Sequence, residues 1–283
     1  MRRIGGSEVG MRIGVTYTIL RKEELMIRDR AREYGEVVML HEDDLTFPKK
    51  YDLDVAIIRN ISHYKALYIA KLLEEQGTPT VNSFNLMLEA GDKVFATLKL
   101  AKKVPVPRWR VSFSEKSAKK IPEELGYPLV SKPVFGSWGR LLAKINDEDS
   151  LENVLEHKKW MKNPLYNIHY FQEFIDKPGR DIRSYVIGGE FVTAIYRYSD
   201  HWITNTARGG RAEPCDREDV VEISIKAWEA FGEGALAIDI FEGKNGLLVN
   251  EVNPNMEFKN AARVTGVDIA RKLVEYAVEV AKR

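Results

Sequence analysis

The sequence predicts an α/β protein of two or three lobes that opens with a parallel sheet. Three observations carry this. The chain has 283 residues, more than one compact core usually holds, so its apolar residues must divide among lobes. Between residues 11 and 82, short apolar runs alternate with segments of helical composition, the pattern of right-handed β-α-β crossovers. Beyond residue 180 the pattern changes to paired strand-like runs joined by Gly188-Gly189 and by Lys244-Asn245-Gly246, which read as hairpins.

Taken in order, residues 1–10 are polar and Gly-rich and are expected to form a disordered leader. Met11 to Val15 is the first strand, and a charged segment from Lys22 to Tyr34 has helical composition. Strands at Val37 to Leu40 and Val55 to Ile58, a helix from Lys65 to Glu75 and a strand at Thr80 to Asn82 complete a first lobe. Phe84 to Lys103 reads as helical up to Val104-Pro105-Val106-Pro107, where neither proline can continue a helix. Strand-like runs follow at Trp109 to Phe113, Leu129 to Pro133 and Arg140 to Lys144. A helix from Asp147 to Lys162 carries an apolar stripe of Leu151, Val154, Leu155 and Trp160, and Tyr170 to Ile175 is a further strand. The last lobe holds strands at Asp181 to Ile187 and Phe191 to Arg197, then a helix from Asp216 to Phe231 with Val220, Ile223, Ala227, Ala230 and Phe231 inward. A hairpin and a C-terminal amphipathic helix (Ile269, Leu273, Tyr276 or Ala277, Val280) close the chain.

Composition excludes several classes. With 43 basic and 42 acidic residues the net charge is +1, so no global field argues for nucleic acid or an anionic membrane. The single cysteine, Cys215, excludes an intramolecular disulfide and a cysteine zinc site and fits a reducing cytoplasm. No long apolar span is present, and no Gly-x-Gly-x-x-Gly follows the first strand, so a dinucleotide-binding domain is unsupported.

The residues that could carry chemistry begin with the final hairpin. Asp239, Glu251 and Asn253 interrupt apolar, β-branched runs, where an unpaired carboxylate is costly. Alternation puts Glu251 and Asn253 on one face. Asp239 joins them opposite Glu251 if the loop has an odd length centred on Asn245; a two-residue Asn-Gly loop would set it against Val252 instead. Three hard oxygen donors on one face suit Mg²⁺, although a solvated polar face suits one Asp and one Glu equally well. Lys132 ends an apolar strand before a loop containing Gly136, Ser137, Trp138 and Gly139, a setting for phosphate recognition; a solvated lysine before a turn is the alternative. Gln172, Glu173, Phe174 and Ile175 could read an adenine edge with strand backbone, or be an ordinary strand with a polar bend. Asp181, Arg183, Arg197, Asn205 and Arg208 form a cationic and amide-rich series able to stabilise a transferring phosphoryl group.

Together and in this order, these pieces resemble the ATP-grasp superfamily of carboxylate–amine ligases, and within it the LysX/ArgX group of amino-group carrier protein ligases, relatives of RimK. The resemblance rests on Lys132-Pro133-Val134-Phe135-Gly136-Ser137-Trp138-Gly139-Arg140, Gly179-Arg180-Asp181-Ile182-Arg183, Asn205-Thr206-Ala207-Arg208-Gly209-Gly210 and Asn250-Glu251-Val252-Asn253-Pro254-Asn255-Met256-Glu257-Phe258, and covers residues 11–283. It implies a three-lobed ATP-grasp fold: an N-terminal α/β domain (11–90), a central subdomain (91–175) and a C-terminal subdomain (176–283), with ATP between the last two. It implies that Lys93 and Lys132 contact phosphates, that Gln172 to Ile175 holds adenine, that Asp181 holds ribose and that Gly136 to Arg140 covers the phosphates. Asp239, Glu251 and Asn253 match the Mg²⁺ set, with two ions expected. Arg183, Arg197 and Asn205 are the implied catalytic groups, and Arg197, Asn205, Asn255, Glu257 and Phe258 the implied substrate contacts.

The implied reaction starts with the side-chain carboxylate of a carrier protein's C-terminal glutamate. It attacks the γ-phosphate of ATP, giving an acyl-phosphate and ADP; an amino acid's α-amine then displaces phosphate to leave an amide. In this group the amino acid is α-aminoadipate for lysine synthesis or glutamate for arginine synthesis. The segment Ser199 to Asn205 departs from the short form of the glutamate-specific members, which favours α-aminoadipate, with glutamate as a second substrate. The implied partner is a small acidic LysW-like carrier, for which Lys177, Arg180, Lys259 and Arg263 are expected to form a basic docking patch. A homodimer or homotetramer is expected. A ligase that adds glutamate to a ribosomal protein tail or to a cofactor would keep the same ATP and metal residues, whereas a non-catalytic nucleotide-binding regulator would not need them.

Overall fold

A computed structural model describes residues 10–136, 139–204 and 211–283. The first lobe has β1 (Met11–Tyr17), α1 (Lys22–Ala31), β2 (Gly35–His41), β3 (Val55–Arg59), α2 (His63–Glu75) and β4 (Thr80–Val81). Its four strands are parallel in the order β2-β1-β3-β4, as the alternation of strand and helix requires. The helical stretch after it is not continuous. Asp92 ends α3 (Phe84–Gly91), and its carboxylate caps α4 (Lys93–Leu100) by accepting from the Val94 and Phe95 N–H groups.

The second lobe contains β5 (Trp109–Ser112), α5 (Glu115–Ala118), α6 (Ile121–Leu125), β6 (Leu129–Lys132), β7 (Ala143–Ile145), α7 (Glu148–Trp160) and β8 (His169–Glu173). Its antiparallel sheet runs β5-β8-β6-β7. One face carries Leu129 and Phe171 against Leu151 and Leu155 of α7. Trp160, expected in that stripe, is instead 77% exposed, because nine residues from Leu151 is about two and a half turns and places it on the opposite face. The strand expected from Arg140 begins only at Ala143.

The third lobe has β9 (Arg180–Ile187), β10 (Glu190–Tyr198), β11 (Ala212–Pro214), α8 (Glu218–Glu229), β12 (Ala235–Gly243), β13 (Gly246–Asn253), α9 (Lys259–Thr265) and α10 (Ile269–Lys282). Its sheet order is β11-β10-β9-β12-β13, antiparallel throughout. Ile182 and Val186 of β9, with Leu236, Ile238 and Ile240 of β12, face a core that includes Val220, Ile223 and Ala227 of α8 and Ala96 and Leu100 of α4. The opposite face is divided. Tyr185, Ile187, Ala235 and Ala237 join Ile13, Val15 and Ile27 of the first lobe and Ile269, Leu273 and Ala277 of α10 in one apolar core. Further along the same strands, the residues on that face are charged. The C-terminal helix therefore binds the first lobe to the third, and it leaves the charged end of the sheet beside the second lobe.

Candidate functional site

The charged half of the third sheet is built by register. Arg197 on β10 pairs across from Asp181 on β9, Arg183 on β9 from Asp239 on β12, and Asp239 from Glu251 on β13. Directly opposed residues share a face, so five charged side chains from four strands lie on one surface. Arg183 donates Nε and Nη2 to the two oxygens of Asp239, both at 2.7 Å. Arg197 grips Asp181 in the same bidentate way at 2.7 Å, and its Nη2 lies 3.2 Å from Asp239 Oδ1. Burial pushes the Asp239 carboxyl upward, but Arg183 and Arg197 outweigh it and hold the group well below the usual carboxylate range.

The Asp239–Glu251 pairing arises differently from the expected odd loop. Gly243 pairs with Gly246, leaving the two-residue loop Lys244-Asn245. Continued regularly, that register would set Asp239 against Asn250. A bulge between Asp239 and Ile240 makes Asn250 the extra residue and brings Glu251 opposite Asp239. The bulge also turns Asn250 towards β6, where its Oδ1 accepts from Lys132 Nζ at 2.7 Å.

The lysines gather around this point. Lys93, at the start of α4, donates Nζ to the Gly136 carbonyl at 2.6 Å and lies 3.8 Å from Glu251. Lys132 is 5% exposed, and burial, with Lys93 and Lys177 nearby, pushes its ammonium down to about 8 against the pull of Glu251 and Asp239. Lys177, between β8 and β9, sits 4.5 Å from the Phe241 ring centre and donates to Thr204 Oγ1 at 2.7 Å; burial lowers its pKa too. Thr204 in turn donates to Asp181. Gly139 takes φ +64°, and a Cβ there would lie 2.7 Å from Ile203, so this close approach of the glycine loop to the 199–204 segment needs glycine.

These groups line a cavity of about 300 Å³ between the lobes. The wall from the second lobe is Val130, Tyr170, Gln172, Glu173, Phe174 and Ile175. Gln172 is committed through its side chain to the Tyr170 hydroxyl at 2.8 Å. Arg108 and Pro128 carbonyls take the Glu173 and Phe174 N–H groups, and the Ile175 N–H donates to no described carbonyl. The first lobe adds Arg21, Asn60, Ile61 and His63. Burial, then Lys93, pushes the His63 imidazole down to about 4, and its ring packs 5.1 Å from Phe135 of the glycine loop.

Of the residues singled out in the sequence, Lys93, Lys132, Gly136, Gly139, Gln172, Glu173, Phe174, Ile175, Asp181, Arg183, Arg197, Asp239, Glu251, Asn253, Asn255 and Glu257 all line this cavity. Asp181, expected at a ribose, has both oxygens engaged by Arg197 and Thr204. Phe258 is buried in the apolar core and is not in the cavity lining. Ser137, Trp138, Asn205 and Arg208, and residues 1–9 of the expected leader, lie outside the described residues. The docking patch needs correction. Lys177 belongs to the cavity, and Arg180 is held by Glu242 at 2.6 Å over the Tyr196 ring, which leaves Lys259 and Arg263 exposed on α9. Sequence reasoning missed Asn250, Lys177 as a cavity lysine, and Arg21.

The donor set fits a hard divalent cation. Asp239 and Glu251 face each other, Asp239 is held ionised while both its oxygens accept from Arg183, and Asn253 lines the same cavity. Among the described residues no group of three or more His, Cys, Asp or Glu side chains is placed to hold a metal. Two carboxylates and an amide match the few protein ligands that Mg²⁺ takes beside phosphates and water.

Comparison with known proteins accords with this arrangement. The model of the RimK-like ATP-grasp domain matches residues 90–277. The α-aminoadipate–LysW ligase LysX of Saccharolobus solfataricus is 39% identical over 254 residues, 88% of this chain and 92% of that protein. The glutamate–LysW ligase ArgX of Sulfurisphaera tokodaii is 36% identical over 278 residues, covering 95% and 99%. The crystal structure of a RimK domain ATP-grasp protein from Sphaerobacter thermophilus superposes with a TM-score of 0.77 at 24% identity, covering 94% of this chain and 99% of that one, a likeness of fold. The chain belongs to the RimK-like ATP-grasp family.

Proposed function

We propose that this protein is the ATP-dependent ligase that joins the α-amino group of α-aminoadipate to the C-terminal glutamate of a LysW-like carrier, in lysine synthesis. Its family uses ATP and a divalent metal and forms C–N bonds with release of ADP. The observation that carries the reading is one cavity that joins an apolar strand-edge wall, three lysines and the Asp239–Glu251 pair. The adenine lies against Phe174 and Ile175, with the unused Ile175 N–H at its edge. Lys93 and Lys132 hold phosphate oxygens, exchanging the Gly136 carbonyl and the Asn250 amide for them. Asp239, Glu251 and Asn253 would hold Mg²⁺, two ions being expected, and the metal would neutralise phosphate charge. Asp181 orients Arg197, and Arg183 and Arg197 present positive charge where the acyl-phosphate forms. The carrier carboxylate attacks the γ-phosphate, ADP leaves, and the amino acid's amine displaces phosphate from the acyl carbon.

The test is the ATP-dependent mass change of a small acidic carrier ending in glutamate, with α-aminoadipate and glutamate offered separately. A gain matching α-aminoadipate, lost in Glu251→Gln, is expected. A gain with glutamate alone would move the enzyme to arginine synthesis. ADP release without a mass change would assign another acceptor, and no ADP at all would end the ligase reading.

A further inference from the structure

The cavity also has an end formed where the first lobe meets the segment after β13, apart from the second-lobe wall. Contacts that face the cavity across this seam include Asn255 Nδ2, which donates to the Asn60 carbonyl at 2.8 Å, and Arg21 Nη1, which lies 3.2 Å from Glu257 Oε1. Among the described lining residues of the first lobe, Arg21 is the permanently charged one.

Its guanidinium is fixed from behind. Nε and Nη2 donate to the two oxygens of Glu24 at 3.1 and 2.8 Å. Glu24 is fully buried and locked by Arg59, which is itself buried and donates Nη1 to the Met256 carbonyl. A guanidinium has five N–H donors in a rigid fork. Three are used, leaving one N–H on each Nη without a partner among the described residues, in a side chain that is 19% exposed and lines the cavity. Glu24 and Arg59 are N-terminal-lobe residues, whereas Met256 and Glu257 belong to the third lobe. The arginine is therefore held at the lobe seam by a chain of buried charges that does not pass through the nucleotide-side groups.

The other lining cations come from the second and third lobes. Arg183 and Arg197 are clamped by Asp239 and Asp181, Lys93, Lys132 and Lys177 surround Glu251 and Asn250, and Arg140 follows the glycine loop of the second lobe. Both proposed co-substrates bring carboxylates that take no part in the reaction: the two of the amino acid, and the α-carboxylate of the carrier's last residue. Each must leave water to reach the acyl-phosphate, and a desolvated carboxylate requires a paired cation.

We infer that Arg21 binds the non-reacting carboxylate of a co-substrate through the two N–H groups its protein partners leave unused. This rests on the ligase reading above. It makes the first lobe part of the substrate site, with Glu24 as a positioning residue.

The experiment is steady-state ADP release by the full chain, varying ATP, amino acid and carrier in turn, for wild type, Arg21→Gln and Arg21→Lys. Thermal unfolding is followed in parallel. The expected result for Arg21→Gln is a rise of at least tenfold in KM for one acid co-substrate, with KM for ATP within twofold of wild type. Arg21→Lys should recover part of the loss. The arm that moves names the source: amino acid or carrier terminus. If Arg21→Gln and Arg21→Lys unfold earlier but keep both acid KM values within twofold, Arg21 is a lobe tether and the inference is wrong. Equal changes in all three KM values would also overturn it. A wild type that releases no ADP with these substrates would bring down the function and this inference with it, an outcome distinct from an active wild type with unaffected variants.

Discussion

Replacing Lys132 by methionine should make the protein more stable while removing nucleotide binding. The side chain is 5% exposed, its acceptor is the neutral Asn250 amide, and its ammonium is pushed down from 10.5 to about 8, chiefly by burial. At about 1.4 kcal/mol per pH unit, this drop makes the charged lysine cost the fold about 3 kcal/mol near neutrality. Methionine fills similar space without charge, but forfeits the hydrogen bond to Asn250, worth about 1 kcal/mol. A net gain of about 2 kcal/mol remains, or roughly 3–4 °C in Tm for a chain of this length. The pH dependence has a definite sign. Between about 8 and 10.5 the unfolded chain holds a proton that the folded one has released, so wild-type stability rises with pH across that window. The advantage of Lys132→Met should therefore be full below pH 8 and fade towards 10.5. Thermal unfolding at several pH values, with and without a non-hydrolysable ATP analogue and Mg²⁺, reads both effects. The analogue should raise Tm in the wild type and not in the variant. A variant less stable than wild type at pH 7, or an advantage that does not change with pH, would refute the reasoning.

Arg183→Leu should cost about 3–5 kcal/mol in denaturant unfolding, because it strips Asp239 of its bidentate partner and leaves a buried carboxylate on Arg197 alone. Arg183→Leu combined with Asp239→Leu should recover much of that loss without activity, and additive costs would contradict the pairing. Because the Asp239 carboxyl is held low, its contribution should be complete above the unfolded value of about 3.9 and fade as pH falls below it, steepening acid unfolding. Gly91→Ala should cost about 1–3 kcal/mol, since a Cβ there would lie 2.0 Å from the His63 ring. His63→Ala in the same chain should restore most of it, as read by Tm, and no restoration would place the strain elsewhere.

Much of the site was legible because its residues violate their local pattern. Asp239, Glu251 and Asn253 stand out in apolar runs such as Leu236 to Phe241, where Leu236 to Ile240 are all buried, and Lys132 ends a strand whose four residues are all buried. The strand–helix alternation likewise pointed to the parallel first sheet, since α1 and α2 each cross back between two of its strands, while β2 and β3 are joined without an α-helix. What failed to show depends on contacts distant in sequence. Lys177 precedes Pro178-Gly179 and reads as a solvated turn lysine until Phe241 and Thr204 close around it. Arg21 meets Glu257 across 236 positions. The bulge at Asn250 leaves no compositional mark, although it decides which side chain opposes Asp239. Trp160 shows the converse, an apolar residue inside the helix that stands about half a turn away from the stripe begun at Leu151.

The two kinds of cation in the cavity are held in opposite ways, and this bears on how the site works. Arg183 and Arg197 are each committed to a carboxylate by two short parallel bonds, the geometry that a planar guanidinium favours. Their charge is matched within the sheet, so they fix the register of β9, β10 and β12 and keep Asp239 ionised whether or not a ligand is present. The lysines hold a carbonyl, an amide oxygen and a hydroxyl at their shortest contacts, none of which carries a charge. Seven cationic side chains line the described cavity against five acidic ones, and three of the seven are these flexible groups. A buried ammonium on a neutral acceptor is electrostatically incomplete. It can trade that acceptor for a phosphate oxygen by rotating its own stem, with no movement of the strands. The arginine pairs thus supply a frame that stays rigid on binding, and the lysines supply the charge that the ligand completes.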